Sequence, residues 1–390
     1  MQEVFIISAK RTPIGSLLGT LSSLTAPQLG ALAISGTLKD TGINPSAIDS
    51  VYFGNVLSAN IGQSPARQAA IVAGIPDKAD ATTINKVCAS GMKSTMIGAQ
   101  QIQLEQEHLV VTGGMESMSN VPHYSLIRKG TKLGDLTLTD GMIKDGLWDA
   151  YHNFHMGSAA ELGVKKFKLT REALDAYAIE SYRRAAKATT EGKFKTEIIP
   201  VSVEHKTGNV ILEKDEDVDK IIPEKVAKLK PTFEKDGNLT AANSSNLNDG
   251  AAAIILASAE AVKRYNLKPL AKILSYADAA QAPEWFTTSP ALAIPKALKA
   301  ANLKLSDIHF IEINEAYASV ILSIQQLLDL DLAKVNVYGG AVAMGHPIGA
   351  SGARIITTLL SVLKQEKGKY GVAAICNGGG GASAIVIENL

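Results

Sequence analysis

Cysteine is scarce: Cys88 and Cys376 are the only two in 390 residues, and they lie in no CxxC or metal-ligand spacing. A disulfide framework or a zinc site is thereby disfavoured. Aromatic residues make up only 5%, and Lys+Arg 39 against Asp+Glu 38 leaves no field of one sign to attract nucleic acid or an anionic membrane. No apolar run approaches the roughly 18 to 20 residues that a membrane span needs. Neither GxGxxG nor GxxxxGK[ST] occurs in the glycine-rich segments, which removes support for dinucleotide binding or nucleotide hydrolysis. Met1 leads almost directly into "EVFIISA", which reads as a first strand and not as a signal or transit peptide. The expectation is a cytosolic protein, or a mitochondrial one if a presequence was trimmed. Its expected partners are small molecules and copies of itself.

What is present is hydrophobic residue, 46% of the chain, over a length that suggests two or three domains. Strand-like runs alternate with amphipathic helical patterns, the mark of an α/β protein. Thr25, Pro27 and Gly42 predict the cap, first turn and end of one helix, with Leu29, Leu32 and Leu38 on its apolar face. The strand "SVYFGN" follows.

The same order returns in the second half. "TAPQLGALAISGTLKDTGINPSAIDSVYFGN" from Thr25 parallels "TSPALAIPKALKAANLKLSDIHFIEIN" from Thr288, and "ASGMKSTMIGAQQI" from Ala89 parallels "ASGARIITTLLSVL" from Ala350. A repeat this long implies two duplicated domains packed together, not a solenoid. Residues 1–118 with 249–270 are expected to form the N-terminal half, 271–390 the C-terminal half, and 119–248 a mixed insertion. Charge runs in the insertion, such as "EKDEDVDK", read as solvated faces.

Four small-residue segments fall at strand ends: "NKVCASGMKS", "NEAYAS", "GGAVAMGHPIGASGAR" and "CNGGGGASA". In a sheet of this kind such turns let backbone approach a ligand closely. Cys88 sits at a strand-to-helix elbow, where free N–H groups and the helix dipole would stabilise a thiolate. The default for an isolated thiol is a small buried hydrophobe; the elbow argues against it. His346, between Gly345 and Pro347, is held as an imidazole that must be aimed, and it could take a proton from a thiol. Cys376 stands beside consecutive glycines whose N–H groups could meet an oxyanion. Two thiols, a histidine and the Asn314-Glu315 strand end suggest acyl transfer through a thioester, provided that the loops meet.

These motifs, with "GGMESMSN" and "HMG", resemble in order and separation the successive signatures of the thiolase family, over essentially the whole chain. The sequence is most similar to the biosynthetic branch, the acetyl-CoA C-acetyltransferases, which make acetoacetyl-CoA and CoA from two acetyl-CoA. The resemblance implies the thiolase fold: two duplicated α/β halves in an α-β-α-β-α layered core with an inserted loop domain. It also implies a homotetramer and a supply of acetoacetyl-CoA to isoprenoid or related synthesis.

Carried over by resemblance, Cys88 is the nucleophile, His346 activates it, and Cys376 removes a proton from the methyl carbon of the second acetyl-CoA. One oxyanion hole would use the N–H groups of Cys88 and Gly378; the other would use His346 and a water held by Asn314. Ser245 is expected against the pantetheine arm, Lys230 near the adenine, and His155 and Met156 along the acyl pocket, the methionine narrowing it. Tyr317 stands where the motif commonly has phenylalanine and adds a hydroxyl near the pocket; Met344 stands where many relatives have leucine or serine. No cofactor is required by the resemblance, while Tyr182 resembles a tyrosine associated with potassium binding, so potassium activation is an expectation.

Other readings predict different outcomes. A degradative 3-ketoacyl-CoA thiolase would cleave long chains rapidly. A non-catalytic acyl-CoA or lipid binder would have no use for both cysteines, His346 and Asn314. A cysteine hydrolase would not need Cys376.

Overall fold

The computed structural model describes residues 2–204 and 208–390. Nine strands succeed one another in a ten-stranded sheet. They are β1 (Val4–Arg11), β2 (Ser50–Gly54), β3 (Asp80–Ile84), β4 (Leu109–Ser117), β5 (Asn248–Ser258), β6 (Ala271–Ala280), β7 (Phe310–Ile313), β8 (Tyr370–Asn377) and β9 (Gly381–Asn389). Their spatial order is β7-β8-β9-β6-β1-β5-β4-β2-β3, with the short strand Gly15–Ser16 paired to β5. Every residue of β4 and β5 is buried. A strand covered on both faces has no solvent side, and alternation is absent for that reason.

The duplication is visible in the pairing. β2 runs parallel to β4 as β7 runs parallel to β8, and β4 and β8 each pair antiparallel with the strand that closes their half. Met115 opposes Ala251 in one half and Cys376 opposes Ala382 in the other. Both first strands slip by one residue, β1 between Ile6 and Ser8 and β6 between Ile273 and Ser275. The halves join where β1 meets β6, Val4 opposite Ile273.

Eight main helices complete the layers. They are α1 (Ala26–Thr41), α2 (Pro65–Val72), α3 (Ser90–Gln103), α4 (Met156–Lys166), α5 (Arg171–Thr190), α6 (Pro290–Ala300), α7 (Ala318–Leu328) and α8 (Ile348–Gln365). The α1 signals act as the sequence predicts: Gln28 accepts from the Thr25 N–H at 2.8 Å, and Gly42 closes the helix at φ +67°. One core packs α1 and α2 on the N-terminal half-sheet, and another packs α4, α6 and α7 on the C-terminal half-sheet. Between the half-sheets lies a third core built around α3 and α8. The result is the expected α-β-α-β-α layering. The two central helices cross at their shared Ala-Ser-Gly: a Cβ on Gly91 would lie 2.9 Å from the Ala353 nitrogen, and one on Gly352 2.3 Å from the Met92 nitrogen. Glycine at both positions permits this crossing.

The reading of "EKDEDVDK" as a solvated face is corrected at its centre. Asp215 is buried and grips Arg11 through two hydrogen bonds of 2.7 and 3.0 Å, and Asp217 is buried against Ser16 and Asn248. A buried guanidinium requires this many acceptors, so the charge run clamps the insertion onto β1.

Candidate active site

Cys88 lies at the head of α3, in the elbow anticipated from the sequence. Val87 adopts φ +48°, a conformation costly for a β-branched residue. Side chains hold the strained turn in place: Asn85 accepts from the Val87 N–H at 2.9 Å, and Ser90 accepts from the Lys86 N–H at 2.8 Å while donating to the Val87 carbonyl at 2.6 Å. The backbone N–H groups of Gly378 and of Cys88 itself favour the charged sulfur and lower its pKa. Burial nevertheless outweighs both, and the thiol is pushed up to about 12, with buried Glu116 adding to the rise. The thiolate expected at this elbow is therefore not the resting form.

His346 is buried, with its backbone N–H donated to the Asn248 side chain at 3.1 Å. Its Nδ1 is 2.6 Å from the Ser351 hydroxyl, which donates its single hydrogen to the Pro347 carbonyl at 2.9 Å. The hydroxyl can then only accept from the ring, so Nδ1 carries the hydrogen and Nε2 keeps a lone pair. Burial, and then the charge of Arg354, hold the imidazole down to about 3. It is a neutral base at neutral pH. The Asn314 amide nitrogen lies against the ring, 3.4 Å from Nε2 and 3.5 Å from Nδ1, and its Oδ1 is buried without a partner.

Cys376, at the end of β8, is fully buried, and its thiol is pushed well up by burial and by the nearby Cys88. The glycine run turns the chain immediately beyond it. Gly380 adopts φ +83°, and a Cβ there would lie 2.3 Å from the Gln281 carbonyl oxygen, so only glycine fits. Glu315, beside Asn314, faces elsewhere. It accepts from Tyr177 at 2.6 Å, Ser181 at 2.7 Å, Asn336 at 2.9 Å and the Val342 N–H at 3.1 Å, and so ties α5 to the loop before His346.

Cys88 and His346 open into a cavity of about 340 Å³ with largely apolar walls. His155, Met156, Ser245, Tyr317 and Gly378 line it, as the sequence suggested. His155 caps α4, accepting from the Gly157 N–H at 3.0 Å, and burial lowers its pKa. Ser245 donates to the Ala316 carbonyl at 2.9 Å. The buried Tyr317 phenol is pushed well up by burial and by both cysteines, which places it among them. Phe233 was missed by sequence reasoning. It stacks on His155 at 5.0 Å and meets Tyr317 edge-on at 5.7 Å, contacts made across the chain that no local motif announces. Lys230 is exposed and outside the cavity wall, three residues before Phe233. Met344 is buried in a separate core under the His346 turn, without reaching the wall. Tyr182 is buried on α5 beside Asp217 and Asn246, its phenol pushed up to about 12 mainly by burial. Among the described residues no group of three or more His, Cys, Asp or Glu could hold a metal.

An elbow cysteine, a second thiol at a duplicated strand end and an imidazole in the paired loop define an acyl-transfer site, and comparison with known proteins gives the class. The family model described as "Thiolase, N-terminal domain" matches residues 4–260 and "Thiolase, C-terminal domain" matches 267–389. The chain belongs to the thiolase family. It is 54% identical to the cytosolic acetyl-CoA acetyltransferase ERG10 of Gibberella zeae, across 100% of this chain and 99% of that one. The crystal structure of Acat5 thiolase from Ascaris suum in complex with coenzyme A superposes with a TM-score of 0.96 at 49% identity, covering 100% of both chains. Human mitochondrial 3-ketoacyl-CoA thiolase superposes with a TM-score of 0.97 at 40% identity, covering 100% of this chain and 99% of that one.

Proposed function

We propose that the protein is an acetyl-CoA C-acetyltransferase, converting two acetyl-CoA reversibly into acetoacetyl-CoA and CoA. The observation that carries this reading is the meeting of two cysteines from different halves, Cys88 on the wall of a cavity shared with His346 and Cys376 buried close to Cys88. The Cys88 sulfur attacks the thioester carbonyl of the first acetyl-CoA while His346 Nε2 takes its proton. The C–S bond to CoA breaks, and Cys376 gives its proton to the departing thiolate, which leaves Cys376 ionised and His346 holding the Cys88 proton on Nε2. With the thiol raised and the imidazole lowered, a free thiolate–imidazolium pair is disfavoured at both partners, so the proton moves as the bond forms. The N–H groups of Cys88 and Gly378, already converging on the sulfur, are aimed to receive the carbonyl oxygen as it becomes an oxyanion.

In the second stage, ionised Cys376 takes a proton from the methyl carbon of the second acetyl-CoA. The carbanion attacks the acetyl group on Cys88 and the Cys88 thiolate leaves, to recover its proton from His346 Nε2, while Cys376 keeps the methyl proton and all three groups return to their resting forms. His346 Nε2–H and a water held by the unpartnered Oδ1 of Asn314 would meet the charge on the second thioester oxygen. Ser245 on the cavity wall suits the pantetheine arm, and Lys230, exposed two residues before the lining residue Thr232, suits the adenine end.

The same reading includes cytosolic action, supply of acetoacetyl-CoA to isoprenoid-type synthesis, and a homotetramer. The near-complete exposure of Leu126 and Leu133 in the insertion supports assembly, since apolar side chains left in water mark association surfaces. Potassium activation is kept as part of the proposal on the strength of Tyr182 alone. The oxygen of Asp217 beside it is already taken by Ser16, Asn248 and Lys220, so no step is routed through the ion.

Trapping with radiolabelled acetyl-CoA and peptide mapping of wild type and Cys376→Ser tests the assignment, with acetoacetyl-CoA formation followed in parallel. Label on the Cys88 peptide of both proteins, with condensation lost only in the variant, is expected. No label on Cys88 sinks the nucleophile assignment, and a fully active Cys376→Ser enzyme favours a hydrolase. Faster thiolysis of a long-chain 3-ketoacyl-CoA than of acetoacetyl-CoA favours the degradative reading.

A further inference from the structure

Glu116, the penultimate residue of β4, is fully buried and has no part in the proton transfers above. Its carboxylate accepts from the Asn55 side chain at 2.7 Å, the Val56 N–H at 3.1 Å, the Leu57 N–H at 3.2 Å and the Gly349 N–H at 2.9 Å. Gly349 opens α8, three residues beyond His346 and two before Ser351, the hydroxyl that sets the imidazole tautomer. The fit is close. A Cβ on Gly349 would lie 2.7 Å from Glu116 Oε2 and 2.6 Å from the Met115 carbonyl oxygen. Strand register gives the position a meaning: Glu116 pairs with Gly250 as Asn377 pairs with Gly381, so the carboxylate occupies in the N-terminal half the place beside the catalytic loop in the other. Ile348, next to Gly349, packs with Val56 and Leu57 against Cys88.

We propose that Glu116 is a positioning residue of the reaction, clamping the first turn of α8 so that Ser351 and His346 are held in line with Cys88. The inference rests on the acetyltransferase reading. All four donors need acceptor oxygens, and protonation would turn one oxygen into a donor and leave the backbone N–H that faces it without an acceptor. The clamp therefore requires the ionised form. Burial and Asp249 of β5 push this carboxyl up to about 7, while the three backbone N–H groups oppose the rise. Cys88 faces it from the head of α3 and the neutral His346 heads the turn; Asn55–Leu57 and Ile348–Ala350 carry no titratable side chain.

The test measures thiolysis of acetoacetyl-CoA by full-length wild type, Glu116→Gln and Glu116→Asp between pH 6 and 9, with melting followed by circular dichroism. In Glu116→Gln an NH₂ group meets an N–H, and the misplaced turn is expected to lower kcat about 100-fold while KM stays within about twofold. Glu116→Asp keeps the charge and is expected to recover roughly a tenth of wild-type kcat. Wild-type kcat is expected to fall as pH drops through about 7, an acid limb that Glu116→Gln lacks. A variant folded at the assay temperature with kcat near wild type overturns the proposal. If both variants unfold, the wild-type profile decides: no acid limb between pH 6 and 8 overturns it. A wild type without thiolysis overturns the acetyltransferase reading itself, whereas failure of the Glu116 proposal leaves the wild type active.

Discussion

Two loop-to-helix junctions of common design meet at one cavity, and only one presents a nucleophile. In the first, Asn85-Lys86-Val87-Cys88 leads into Ala-Ser-Gly; in the second, His346-Pro347-Ile348-Gly349 does the same. Each is secured by the serine of its Ala-Ser-Gly, Ser90 to the Val87 carbonyl and Ser351 to the Pro347 carbonyl. The first helix end faces a glycine loop, Gly378 onward, with room to spare: a Cβ on Gly378 would find its nearest atom 3.6 Å away. The second faces Glu116, which fills the space. Duplication supplied two equivalent pockets. A side chain closed one, and the other remained open for a thioester, borrowing its base from the closed junction.

The largest expected effect comes from giving the second junction the residue of the first. His346→Asn removes a general base, usually worth about 10² to 10⁴ in rate, and an oxyanion donor worth about 10² to 10³. Condensation should fall by at least about 10⁴-fold, as measured by steady-state acetoacetyl-CoA formation. A loss of only about tenfold would mean that His346 is as structural as Asn85.

The open junction should also show its burial in its chemistry. Alkylation by iodoacetamide requires the thiolate, and the Cys88 thiol is pushed up to about 12 in the empty cavity. Below that value each pH unit raises the thiolate fraction tenfold. The alkylation rate of Cys88, followed by peptide mass, should thus climb about tenfold per unit from pH 7 to 10. A plateau below pH 8 would show a low-pKa thiol and reverse the assigned direction.

That direction marks the boundary of what the sequence revealed. The elbow at Cys88, the capped α1 and the duplication were legible because turns, caps and repeats are local patterns, whereas the residues of the cavity wall came only with the resemblance to the thiolase family. The helix dipole and free N–H groups were legible too, and pointed to a thiolate. Burial depends on packing between residues distant along the chain, and with the charge of Glu116 it decided the sign. Phe233 and the Asp215 clamp on Arg11 escaped for the same reason: each acquires its role only through a partner that folding brings to it.

Stability should separate the junctions as activity does. Gly349→Ala drives a methyl group into the Met115 carbonyl and Glu116, and overpacking of this kind costs about 1 to 3 kcal/mol. Gly378→Ala meets no atom closer than 3.6 Å and should leave stability within about 0.5 kcal/mol of wild type. Urea unfolding of the two variants compares them directly. Equal losses would mean that the closed and open pockets do not differ in packing.

The smallest effect expected concerns how far the open pocket extends. Met156 lies beside Gly378, with its Sδ 3.8 Å from where a Cβ there would stand, and it walls the cavity next to His155. Removing its side chain in Met156→Ala frees space for further methylenes, each worth about 1 to 3 kcal/mol in discrimination by an apolar pocket. The ratio of kcat/KM for a six-carbon 3-ketoacyl-CoA to that for acetoacetyl-CoA should rise about tenfold. An unchanged ratio would move the length limit from Met156 to the Phe233–Tyr317 pair, whose edge-on contact stands across the same cavity. Tyr317→Phe keeps that contact and removes only the hydroxyl among the cysteines, so the pair of variants separates a steric limit on chain length from a polar one.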